Sequence, residues 1–195
     1  MNTASQSIAR LLAELGSSGS FATRFSIETD PGLQVEGIGT VPLPVTIRMA
    51  HRLCAMAQPA LHGYKDQTRF DPRVHDTWEI PAGAIRFDSP QWQGALDDAL
   101  ERIAHGLGLP SGLRLDAELH NLLIYAPGQF FTMHQDSEKA GGMLGTLVIT
   151  LPSDFTGGEF QISHQGETTT RGTATEAKRT GTMKHFPTAN RARRR

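Results

Sequence analysis

The order of patterns along the chain predicts an α+β fold. Helical spacing dominates the first half, and the clearest helix runs from Pro90 to Leu107. From Leu113 onward the rhythm changes to short strands separated by Gly/Pro turns, which suggests an antiparallel sandwich. A chain of 195 residues fits one domain with room for a sizeable core.

Taken in order, residues 5–15 place Ile8, Leu11, Leu12 and Leu15 at helical spacing and stop at Gly16 and the Ser17-Ser-Gly-Ser linker. Phe21 to Ile27 alternates as a strand, and Leu33 to Ile38 reads as a second. Pro42-Leu-Pro44 opens a helix from Val45 to Ala57, with Ile47, Ala50, Leu53, Cys54 and Ala57 on one face. Tyr64 to Trp78 is polar, and Trp78-Glu-Ile80 leads into a turn at Pro81-Ala-Gly83. In the Pro90–Leu107 helix, Trp92, Leu96, Ala99, Leu100 and Ile103 form the apolar face, and Gly106 and Gly108 end it. Strands are then expected within Leu113–Tyr125, Phe130–His134, Met143–Leu151 and Glu159–His164, the last closed by Gly166. Gly157 and Gly158 should make a turn needing positive φ.

Composition narrows the class. Hydrophobic residues are 38% and charged residues 20%, with a net charge of −1. No run of 18 or more apolar residues is present, so no membrane association is expected, and the first residues lack the pattern of a secretory signal. The single cysteine, Cys54, excludes an internal disulfide and fits a reducing compartment, so a cytoplasmic location is expected. Cys54 lies in a helical apolar pattern and reads as a small buried hydrophobe rather than a reactive thiol. The charge is uneven: from Thr168 to Arg195 there are eight Lys or Arg against one acid, Glu176. Such a tail could contact phosphates, but it lacks interleaved aromatics, so nucleic acid is not the expected partner. Its Thr, Gly and Arg content reads instead as a solvated, disordered end.

The motif that carries chemistry is His134-Gln-Asp136. At i and i+2 of a strand both side chains share a face, roughly 6–7 Å apart, and can converge on one metal. Neutral imidazole with carboxylate suits a divalent iron centre that keeps coordination positions open. Alone, such a pair recurs by chance, and a strand-end His bonded to a nearby acid is the bland reading. Here it sits in Tyr125-Ala-Pro-Gly128-Gln-Phe-Phe-Thr-Met-His134-Gln-Asp136, followed by Thr146-Leu-Val-Ile-Thr-Leu-Pro152 and Phe155-Thr-Gly-Gly-Glu159. This block resembles the iron(II)/2-oxoglutarate oxygenases, in the branch similar to the prolyl 4-hydroxylase catalytic domain. Leu33-Gln-Val-Glu-Gly-Ile-Gly39, Thr77-Trp-Glu-Ile80 and Leu107-Gly-Leu109 look like the N-terminal support region of that branch.

The resemblance implies a double-stranded β-helix, or jelly roll, whose sheets enclose the iron, with N-terminal supporting helices. It implies His134 and Asp136 as metal ligands, Fe(2+) and 2-oxoglutarate as cofactor and cosubstrate, and it admits ascorbate. Tyr125 would face the cosubstrate pocket, with core packing as the other reading; Thr146 and Leu147 would fall on a strand lining that pocket. The substrate would be a protein side chain, peptidyl proline included, or a small molecule. The division expected is an N-terminal helix and linker at 1–29, an oxygenase-like domain at 30–167, and a basic tail at 168–195.

The tail departs from the family. Relatives continue after Gly-Gly-Glu with an aromatic-rich strand, the second ligand His, an Arg or Lys that anchors 2-oxoglutarate, and a final strand. The composition from Thr168 on argues against a core strand. His185 has a tolerable spacing for a third ligand, but its neighbours do not match and Pro187 disfavours a central strand; His164 reads as a surface or pocket-rim side chain. The expectation is a domain incomplete at its C-terminal end, truncated or frameshifted from Thr168, poorly soluble and with little turnover. The competing function is a non-catalytic jelly-roll remnant that acts as a binding module.

Overall fold

A computed structural model of the chain describes residues 19–60, 62–64, 67–69, 75–134, 141–171 and 181–187. The helix expected over 5–15 and the candidate ligand Asp136 lie outside the described residues. In chain order the first half runs β1 (Thr23–Ile27), β2 (Leu33–Val35), β3 (Gly39–Thr40), helix α1 (Ile47–Met56), β4 (Gln58–Pro59), β5 (His62–Tyr64), β6 (Gln67–Arg69), β7 (His75–Asp76), β8 (Trp78–Pro81) and β9 (Ile85–Phe87). Helix α2 (Trp92–Gly106) is followed by β10 (Asn121–Ile124), β11 (Phe130–Phe131), β12 (Gly145–Thr150), β13 (Phe160–His164), β14 (Glu167–Arg171) and β15 (Gly181–Pro187).

The result is a mixed α+β fold in which the strand ladders are antiparallel. Among the described residues the strands form small sheets of two or three: β1-β15-β12, β10-β8-β4, β3-β2-β9, β11-β7, β13-β14 and β5-β6. Each helix covers one apolar cluster. Helix α1 begins where Thr46 Oγ1 accepts a hydrogen bond from the Met49 amide (3.3 Å), a cap that satisfies one of the unpaired first-turn donors. It buries Met49 and Leu53 against Leu33, Val35, Ile80 and Ile85, with Leu122 and Ile124 packed alongside. Helix α2 buries Trp92, Ala99, Leu100 and Ile103 against Ile27, with Leu147 and Ile149 alongside. Strand β12 and the residue after it join the clusters: Leu147 and Ile149 meet the α2 cluster, and Leu151, just past the strand, meets the α1 cluster.

Among the described residues the two helices and six strands (β1, β2, β10, β11, β12 and β13) fall within the ranges the sequence places them in, and the other nine strands were not expected. Three differences have physical causes. The Pro81-Ala-Gly83 turn is a single 3-10 turn over Ala82–Ala84 that feeds β9, which pairs with β2. Of the apolar stretch 113–125, only Asn121–Ile124 pairs, because its partner β8 has four residues, and Leu113 and Leu119 stay exposed.

The third difference corrects the reading of the tail. Residues 168–195 do contain strand: β14 pairs with β13, and β15 lies between β1 and β12 as the central strand of its sheet. Two ready partner edges outweigh a weak intrinsic propensity, since strand preference depends on context. Pro187 is tolerated because it sits at the ladder's end opposite Gly145, beyond the last β1 pair, Thr23 with His185. Only one neighbour flanks it there, so its missing N–H costs little.

Candidate functional site

The site is built on the ladder between β7–β8 and β10–β11. Trp78–Pro81 pairs with Asn121–Ile124, and His75–Asp76 pairs with Phe130–Phe131. The second strand therefore carries extra residues, 125–129, between its two paired stretches. Tyr125-Ala-Pro-Gly128-Gln folds these into a tight turn closed by the Gln129 amide donating to the Ala126 carbonyl (3.1 Å). Gly128 has φ +84°, and proline followed by a positive-φ glycine is the signature of a type II turn.

Both feet of this turn are fastened to the opposite strand. Thr77, 3% exposed, donates from Oγ1 to the Ile124 carbonyl (2.7 Å), while its own carbonyl accepts from the Ala60 amide (2.9 Å). At the other foot, Gln129 Oε1 accepts from the Ala126 amide (2.7 Å), and its Nε2 donates to Asp76 Oδ1 (2.9 Å). Each such bond contributes about 0.5–1.5 kcal/mol net. Together they fix where β11 begins, and hence the direction in which Thr132-Met-His134 leaves it.

His134 is exposed, and its ring stacks on Phe131 with centroids 3.4 Å apart and planes 18° apart. Its Nδ1 lies 2.8 Å from the Thr132 carbonyl oxygen. A carbonyl only accepts, so Nδ1 is the donor in this contact. That is the arrangement in which a ligating histidine is oriented by a hydrogen bond from its other nitrogen. Tyr125 is 45% exposed. Phe130 and Met133, also exposed, give the segment an apolar rim around the imidazole in sequence.

The other candidates separate clearly. His164, on β13, stacks against Phe21 (5.7 Å, 27°), a packing contact between strand and N-terminal segment. His185 stands on β15 in register opposite Leu147 of β12. Thr146 and Leu147 thus lie beside the strand that carries a histidine, a juxtaposition the sequence reading missed by treating the tail as unpaired. The signal available was Met183-Lys-His-Phe186, a short apolar and aromatic stretch within the basic tail. Gly157 and Gly158 adopt φ +76° and +69°, the left-handed turn expected of them. Among the described residues, no three His, Cys, Asp or Glu side chains are grouped to hold a metal. Nor is any helix among them long and apolar enough to cross a membrane.

No protein-family model matches the chain. No curated protein and no solved structure matches it either.

Proposed function

We propose that this chain is an iron(II)/2-oxoglutarate-dependent dioxygenase domain of the prolyl 4-hydroxylase-like kind, with a jelly-roll core, in which His134 and Asp136 hold the metal. What supports the reading is the His134-Gln-Asp136 spacing, with the His134 ring exposed, stacked on Phe131 and within hydrogen-bond distance of the Thr132 carbonyl. The donor chemistry agrees, since one imidazole and one carboxylate two positions apart suit a divalent iron that must keep positions open.

His185, the later histidine with a tolerable spacing from Asp136, is the proposed third ligand. Bound iron(II) would supply oxidising chemistry in which oxygen and 2-oxoglutarate give succinate, CO₂ and a hydroxylated substrate. The chain's own part is positional. The fastened 125–129 turn aims the His134 segment, Phe131 holds the imidazole plane, and Tyr125 with Phe130 and Met133 offers an apolar approach for a peptidyl or small-molecule substrate.

The test is succinate formation from 2-oxoglutarate by the purified chain with added iron(II), compared with His134→Ala. Succinate that requires both iron and His134 supports the reading. Equal, background-level succinate from both proteins, with the chain folded, would overturn it in favour of a non-catalytic binding module.

A further inference from the structure

The two helices carry opposite charge on the faces they turn to solvent. On α1, Ile47, Arg48, His51, Arg52 and Met56 are exposed, while Met49 and Leu53 are buried. On α2, Asp97, Asp98 and Glu101 are exposed, while Ala99, Leu100 and Ile103 are buried. Two Arg and no acid put α1 at +2, and three acids with Arg102 leave α2 at −2, His neutral.

Each face also holds a like-charge pair four residues apart, Arg48 with Arg52 and Asp97 with Glu101. Such pairs lie about 6 Å apart along a helix and repel. Among the described residues, no acid stands within ion-pair distance of either arginine, and no cation within that of Asp97 or Glu101. Their hydrogen-bond partners are neutral. Arg52 donates to the Ile38 carbonyl (3.3 Å), and Asp97 accepts from Gln93 Nε2 (2.8 Å). Apolar surface brackets the arginines, with Ile47 69% and Met56 56% exposed. Interfaces combine apolar anchors with complementary charge of this kind.

We propose that a second copy of this chain covers these faces, with α1 of one copy docked antiparallel on α2 of the other. In that register Arg48 falls opposite Glu101, Arg52 opposite Asp97 and Met56 opposite Gly94. Gly94 is exposed, and a Cβ there would meet nothing within 4 Å, so the methionine has room against the helix backbone. Docking α1 on α1, or α2 on α2, would instead set like charges together. A helix of 10 residues on one of 15 makes a small contact, in the weak class below about 1,200 Å². None of His134, Asp136 and His185 takes part, so the proposal stands if the metal reading fails.

Sedimentation equilibrium of the full chain should show weak self-association at low salt. Raising ionic strength from about 0.01 to about 1 M cuts the Debye length from roughly 30 to 3 Å and should weaken association about ten-fold. Charge reversal gives the decisive comparison. Arg48→Glu/Arg52→Glu has two acidic faces and Asp97→Lys/Glu101→Lys two basic ones, so each alone should be monomeric. Mixed in equal amounts they should associate, because each acidic face again meets a basic one. The reversed residues are exposed, so both variants should melt as the native chain does. Should one not fold, Arg48→Ala/Arg52→Ala or Asp97→Ala/Glu101→Ala replaces it and should weaken self-association about ten-fold. A native chain that stays monomeric at low salt would leave the α1 face to a foreign acidic partner and overturns the proposal. So does a mixture of the reversed proteins that stays monomeric, or a reversed or alanine variant that self-associates as the native chain does.

Discussion

At Thr77 and His134 single hydrogen bonds decide how the site is held. Thr77→Val keeps the shape but leaves the buried Ile124 carbonyl without its donor, so it should destabilise the fold by about 1–3 kcal/mol in denaturant unfolding. Ile103, 1% exposed at the centre of the α2 cluster, should cost more: Ile103→Ala is expected to lose about 2–5 kcal/mol through lost burial and the cavity left behind. Cys54 offers a check on charge. Burial raises its thiol pKa, so less thiolate is present at a given pH than in a free cysteine. Alkylation by iodoacetamide in the native protein should therefore lag behind that of the unfolded chain and accelerate as pH rises. A rate equal to that of the unfolded chain at pH 8 would contradict the half-buried placement on α1.

Among elements, the 125–129 turn and β15 matter most. The turn was readable in sequence, since proline followed by glycine between two apolar runs specifies it, and Gly128 takes the positive φ this requires. Gly128→Ala should cost about 1–2 kcal/mol, the penalty of a left-handed conformation for a residue with a Cβ. Strand β15 was not readable. Gly181-Thr-Met-Lys-His-Phe-Pro187 has no clean alternation, and its place comes from two partners, β1 and β12, that are distant in sequence. Strand preference of that kind is supplied by tertiary context, which a local pattern does not contain. Lys184→Pro, within both ladders between Arg24 and Val148, removes a strand donor and should unfold the β1-β15-β12 sheet, seen as loss of amide protection in Phe25 and Ile149. Retained protection in both would show that β15 does not hold that sheet together.

For the whole molecule, the helices and their buried faces were legible because 3.6-residue periodicity is local, and both helices fall inside the ranges expected of them. The His134 proposal comes from residue type and spacing alone, and the sequence pattern did not show the strand that sets His185 opposite Leu147. The expectation of low solubility and little turnover rested on a tail without core strands, and β14 and β15 remove that premise. The account therefore turns on whether this chain holds one iron through the residues named. Anaerobic iron(II) titration of the native chain, with His134→Ala, Asp136→Ala and His185→Ala alongside, measures this directly. It should give one iron per chain. Binding should vanish in the first two variants and weaken in the third, while thermal unfolding of His134→Ala stays unchanged because His134 is exposed. Unaltered iron binding by folded His134→Ala and Asp136→Ala proteins would contradict the account.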